Sequence, residues 1–164
     1  MVKIFLAIVL FFTLVISPVS AEHQSQGLAT GSAERVEKLS NVIDRLGEKI
    51  QGFFKFSSED KVSYQKELVE RRFAELLFVI DNGQGDLIEE VSGRYATYVG
   101  KATDDLISKK VSSQSDEYLR MFEKHLKILP VLRDHFPANS GFWLLLQHDI
   151  NTVQIFSDKI KSSK

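Results

Sequence analysis

The stretch Val62-Ser63-Tyr64-Gln65-Lys66-Glu67-Leu68-Val69-Glu70-Arg71-Arg72-Phe73-Ala74-Glu75-Leu76-Leu77-Phe78-Val79-Ile80 decides the fold. Its apolar seam runs through Val62, Val69, Phe73, Leu76, Leu77 and Ile80, spaced for one face of a helix and not for a strand. Just upstream, Ser57 can act as an N-cap, with Glu59 and Asp60 in the first turn where negative charge suits the helix dipole. Downstream, Asn82-Gly83-Gln84-Gly85 supplies residues that tolerate the left-handed conformation of a C-cap and a tight turn.

The same reading extends in both directions. Asp86 is expected to cap a third helix through Ile88, Val91, Tyr95, Tyr98, Ala102 and Leu106, with Glu89 and Glu90 early and Lys109 and Lys110 late. Ser112-Ser113-Gln114-Ser115 breaks the chain. A fourth helix then carries Leu119, Phe122, Leu126, Leu129, Leu132 and Phe136, and Pro130 should kink it or split it after Leu129. Beyond Pro137-Ala138-Asn139-Ser140-Gly141, a last helix uses Trp143, Leu146, Ile150, Val153, Phe156 and Ile160. Upstream of Ser57, the fold is expected to begin near Ser32. Val36, Leu39, Ile43, Leu46, Ile50 and Phe53 follow one another at alternating steps of three and four, a regular seam of coiled-coil spacing.

Short links between long helices make sequential neighbours antiparallel. The sequence therefore predicts an all-α, up-and-down antiparallel bundle of four main helices plus a fifth C-terminal helix, in one domain over residues 32–161. Chain direction then gathers Phe53, Phe54, Phe56, Val62 and Ile160 at one end and Val36, Ile80, Leu87, Phe136 and Trp143 at the other.

The first 21 residues have the three parts of an export signal: Lys3, an apolar run from Ile4 to Ile16, and Pro18 followed by the small-residue ending Val19-Ser20-Ala21. A helix through that run reaches about 20 Å, against roughly 30 Å of hydrocarbon, so cleavage after Ala21 is favoured over a permanent anchor. Residues 22–31 are polar and glycine-containing and read as a flexible lead-in. The expected destination is the cell envelope or the extracellular space. Contact with a membrane is expected only through the leader, if it stays uncleaved.

Composition narrows the partners. The chain has 164 residues, 43% hydrophobic and 26% charged, which are ordinary globular proportions. Its net charge is −1, and its basic residues form no stripe, so nucleic acid is not an expected partner. Absence of cysteine excludes disulfides, thiolate metal sites, covalent haem attachment and a lipoprotein cysteine.

Reactive constellations are missing. No GxSxG, Walker or GxGxxG pattern occurs, and Ser63-Tyr64-Gln65-Lys66 fits SxxK without its usual companions. Glu67 and Glu70 read as a solvated pair. The residues three before His125, His135 and His148 are Phe122, Leu132 and Leu145, so the Glu-x-x-His motif of bundle metal centres is absent. His125, His135 and His148 are the least unsuitable metal ligands, but no cofactor or metal is expected and no catalytic residue is assigned. Arg72 and Glu75 flank the seam residue Phe73. An ordinary surface pair is favoured, and the alternative is a partly buried pair that fixes helix register. Phe53, Phe54 and Phe56 are expected to plug the bundle end, the alternative being a docking patch that stays partly exposed.

Leu46-Gly47-Glu48-Lys49-Ile50, Phe56-Ser57-Ser58-Glu59-Asp60-Lys61 and Leu68-Val69-Glu70-Arg71-Arg72-Phe73-Ala74-Glu75 together resemble an uncharacterised family of secreted bacterial helical domains. Its members have a first helix ending in Phe, a Ser/Asp-Pro-Glu-like cap and a helix with an Arg-Leu-Ala-Glu signature. Phe122-Glu123-Lys124-His125-Leu126 and the break at Phe136-Pro137 are similar to its later helices. Ser58 stands where that cap has proline, and Phe73 where leucine is usual. The resemblance implies export and a helical architecture, and it adds no catalytic residue.

The functional expectation is a non-catalytic secreted or envelope bundle that binds or scaffolds an unidentified protein. The alternative is an envelope carrier or sensor of a small ligand or metal.

Overall fold

The computed structural model describes residues 38–53, 55 and 57–164. The leader, the lead-in, Val36, Phe54, Phe56 and the side chain of Phe53 lie outside what it describes, so the end-plug expectation falls there too. The elements are α1 (Val42–Phe53), α2 (Ser58–Asp81), α3 (Gly85–Ser108), a single 3-10 turn at Ser112–Gln114, α4 (Ser115–Arg133) and α5 (Gly141–Ser162). No strand occurs among the described residues, and the chain is the all-helical bundle its periodicity predicts. None of the described helices is long and apolar enough to cross a membrane.

Local chemistry sets the helix boundaries. The Ser57 side chain accepts a hydrogen bond from the Asp60 amide at 2.9 Å, and Ser140 accepts one from the Trp143 amide at 3.3 Å. At the end of α2 the Gln84 amide reaches back to the Val79 carbonyl and that of Gly83 to the Ile80 carbonyl. Gly83 takes φ +64°, which closes a Schellman turn. The end of α3 repeats this geometry, from Val111 to Leu106 and from Lys110 to Ile107, but with lysine at φ +54° where glycine is the usual occupant. Two boundaries depart from the sequence reading. α3 begins at Gly85, with Gln84 at its cap and Asp86 inside its first turn. α4 runs through Pro130 to Arg133 without splitting, because proline falls in the last turn, where the helix loses a single backbone bond.

Helices α2 to α5 surround the core. Paired residues give the directions: Arg72 and Glu75 of α2 meet Tyr98 and Arg94 of α3 in reverse order, and Arg133 of α4 meets Gln147 of α5. Across these two antiparallel hairpins the order runs forward. Val62 and Glu70 of α2 face Tyr118 and His125 of α4, and Ser92 and Asp104 of α3 face Asp149 and Lys159 of α5. Chain direction thus alternates, while the order around the bundle is α2, α3, α5, α4, and the 3-10 turn carries the chain across the diagonal. Val62 and Ile160 are buried at one end. Phe136 and Phe142 meet at the other, their ring centres 5.3 Å apart and their planes tilted by 60°, with Ile80 and Leu87 half-buried against the core.

The first helix differs from the other four. Two residues of its apolar seam stay outside the core: Leu46 is 57% exposed and Ile50 is 51% exposed, while Glu48 is buried. Glu48 lies two residues from each of them, about 200° around the helix, so α1 meets the bundle with its polar side. It also starts later than expected, since Lys38 to Asn41 are not helical.

Candidate functional site

Two groups of polar side chains inside the fold carry chemistry, and both lie on helix faces that the sequence assigns to apolar packing. The first holds α1. Arg72 is fully buried at a position four residues from both Leu68 and Leu76, on the inward row of α2. Its guanidinium pairs with Glu75 at 2.5 Å and with Glu48 of α1, and Arg71 holds the other Glu48 oxygen at 3.0 Å. Glu75 in turn accepts from the Ser40 amide at 3.1 Å and from its hydroxyl, tying down the chain that leads into α1. Arg94 stands 3.7 Å from the second Glu75 oxygen, and Tyr98 lies under Arg72 with its ring centre 4.9 Å away. Burial alone pulls the Arg72 guanidinium down, but Glu75 and Glu48 outweigh it and hold the group above its ordinary range.

Arg72 and Glu75 are therefore not the surface pair that was favoured; both are fully buried. The pair tolerates burial because each charge is matched and hydrogen-bonded, and the guanidinium fork serves carboxylates from two helices at once. The sequence signal was an arginine spaced by four from leucines on both sides.

The second group crosses the middle of the bundle. His125 of α4 is fully buried, stacked on Phe73 at 3.8 Å. Its Nδ1 is 2.8 Å from the Tyr95 hydroxyl and its Nε2 is 3.2 Å from Glu70. Burial lowers the imidazole pKa against the pull of Glu70. The neutral ring satisfies both contacts in one tautomer, with Nε2–H donating to the Glu70 carboxylate and the Tyr95 hydroxyl donating to Nδ1. At Glu70, burial acts to raise the carboxyl, but His125 and Lys124 prevail and lower it. Glu70 is thus part of the interior network and not one of a solvated pair. On the other side of the core, Ser92 donates to Asp149 Oδ2 at 2.9 Å. Asp149 is fully buried, its Oδ1 has no hydrogen-bond partner among the described residues, and burial pushes its pKa up to about 7 against the Ser92 bond.

The three histidines do not converge. His125 is buried, whereas His135 and His148 are exposed on the last residues before α5 and on α5 itself. Among the described residues no group of three or more His, Cys, Asp or Glu is arranged to hold a metal. What the two networks can do is position helices: the first fixes α1 on α2, and the second sets α2, α3 and α4 in register.

The chain's sequence matches the family model described as Domain of unknown function (DUF5667) over residues 42–129, more than half its length, from the first residue of α1 to the residue before Pro130. No curated protein and no solved structure matches it.

Proposed function

The chain belongs to the DUF5667 family, a domain of unknown function, and from that premise we propose that it is a non-catalytic, exported helical bundle that binds or scaffolds another protein. One observation carries the reading. A helix with an apolar seam of coiled-coil spacing is fastened to the bundle by its charged side, leaving Leu46 and Ile50 in solvent. With a little over half of each side chain exposed, leucine and isoleucine here forgo roughly 1 to 1.5 kcal/mol each, which a second surface placed over them recovers. Lys3, the Ile4–Ile16 run and the Val19-Ser20-Ala21 ending support export to the envelope or beyond. The non-catalytic part of the proposal rests on His125 and Tyr95, which are fully buried and engaged with each other, and on Asp149, which is buried against Ser92.

A photoreactive residue placed at Leu46 or Ile50 in cells of the natural host tests this. A discrete adduct from both positions, and none from a probe at the exposed Lys127 of α4, is the expected result. Adducts of equal strength from all three, or none, count against it.

A further inference from the structure

A cleft between α1, α2 and α3 gathers more positive charge than the fold itself matches. It has a volume of about 190 Å³ and is lined by Tyr64, Tyr98 and Gln65, with Lys49 from α1, Lys61 from α2 and Lys101 from α3. Two acids and a fourth lysine also line it, and these are already engaged: Glu48 lies between Arg71 and Arg72, and Asp105 pairs with Lys109 at 2.5 Å. Among the described residues Lys49, Lys61 and Lys101 have no carboxylate partner. Elsewhere Lys66, Lys127, Lys159, Lys161 and Lys164 each face an acid, and the described lysines without one outside the cleft, Lys38, Lys55 and Lys110, do not share a common cavity. Gln65 adds a buried Oε1 with no hydrogen-bond partner in the same wall. A flip of that amide offers a donor in its place.

Three lysines from three helices, lining a partly enclosed space with two phenol rings in its wall, suit a compact multivalent anion. Lysine is a mobile point charge and does not impose the planar fork by which arginine selects a carboxylate. A phosphate offers several oxygens and up to two charges to such a set, and each charge-assisted contact is stronger than one between neutral groups. We propose that this cleft binds a phosphate-bearing ligand through Lys49, Lys61 and Lys101, with the aromatic wall packing on the group that carries the phosphate. Bound there, the ligand bridges α1 to α2 and α3. The cleft is separate from the outward face of Leu46 and Ile50, so this inference stands independently of the protein-binding reading.

Two probes distinguish the sources of phosphate: inorganic pyrophosphate, titrated calorimetrically at constant ionic strength, and phosphatidylcholine vesicles with and without phosphatidate. Saturable binding to either is expected, pyrophosphate alone indicating a soluble ligand and vesicles alone a lipid headgroup. In the unaltered chain, the amide resonances of Gly52 and Gln65 should shift with saturation. The combined variant K49Q/K61Q/K101Q should bind about tenfold more weakly or worse, while K127Q/K161Q, which removes two lysines elsewhere, should bind as before. Absence of saturable binding to both probes overturns the proposal, as does binding that K127Q/K161Q weakens as much as the cleft variant. Should the cleft variant fail to fold, resonance shifts in the unaltered chain decide, and shifts confined to residues outside the cleft overturn it.

Discussion

Arg72 of α2 and Glu48 of α1 meet inside the protein, the arginine wholly removed from solvent and the glutamate nearly so. This contact determines which side of α1 faces out. Removing the arginine takes away the one charge that Glu48 and Glu75 share, leaving Glu48 to the half-exposed Arg71 and Glu75 to Arg94 at 3.7 Å. Arg72→Ala should therefore cost about 3 to 5 kcal/mol of unfolding free energy, measured by urea denaturation, far more than loss of an exposed pair such as Lys127 with Glu123.

Glu48→Gln keeps the shape of the side chain and removes its charge, while Arg72 keeps Glu75. The bundle should stay folded and α1 should loosen. Hydrogen exchange of the amides in residues 42–53 should speed by about tenfold, with α2 to α5 unchanged. Equal acceleration throughout would mean that α1 is not a separately held element.

Asp149 makes stability depend on pH in an unusual direction. Its carboxyl has a pKa of about 7 in the fold against 3.8 ordinarily, so between those values the native state holds a proton that the unfolded chain has released. Stability attributable to this residue is fully present below pH 4 and is lost as pH rises to 7. The loss is up to about 4 kcal/mol, at roughly 1.4 per pH unit. Asp149→Asn should flatten that limb and raise the melting temperature at pH 8.

His125 acts in the opposite sense. Its pKa lies below 6.5, so the stability it contributes is complete above pH 6.5 and is lost as pH falls below it, where unfolding lets the imidazole take up a proton. In an Asp149→Asn background the acid limb should begin near pH 6.5. His125→Asn, which keeps an acceptor for the Tyr95 hydroxyl, should weaken that limb.

Much of the architecture is legible in the sequence because apolar spacing and cap chemistry agree. Ser57, Gly83 and the α2 and α3 seams lie where the pattern puts them. The α4 and α5 seams are each displaced toward a polar residue. Tyr118, His125 and Asp149 take core positions, while Leu119, Leu126 and Ile150 are only partly buried. Periodicity counts apolar residues and passes over polar ones that bring their own partners into the core, although His125 and Asp149 fit the three- and four-residue steps of Phe122, Leu129 and Leu132 or Leu146, Val153 and Ile160. Nor does a seam state whether it faces inward. At Leu46 and Ile50 of α1 the identical signal falls on the outer surface, because the decisive contact, Glu48 with Arg72, spans two helices. The order of helices around the bundle depends on such contacts as well.

Two substitutions should stabilise the chain without touching either network. Lys110→Gly relieves the left-handed backbone at the end of α3, and Gly93→Ala adds helix propensity at an exposed mid-helix position with no heavy atom within 4 Å of the new methyl. Each should add about 0.5 to 1 kcal/mol, read from thermal or urea unfolding.

Under the proposed function, Leu46 and Ile50 of α1 face outward to receive a protein. A chain without cysteine permits a direct test, because Leu46→Cys introduces its sole thiol. The purified chain should react with maleimide about as fast as its urea-unfolded form, and the same residue in intact envelopes of the host should react much more slowly. Slow labelling of the purified chain would place this face inside the fold, and equally fast labelling in envelopes would leave it with nothing to bind.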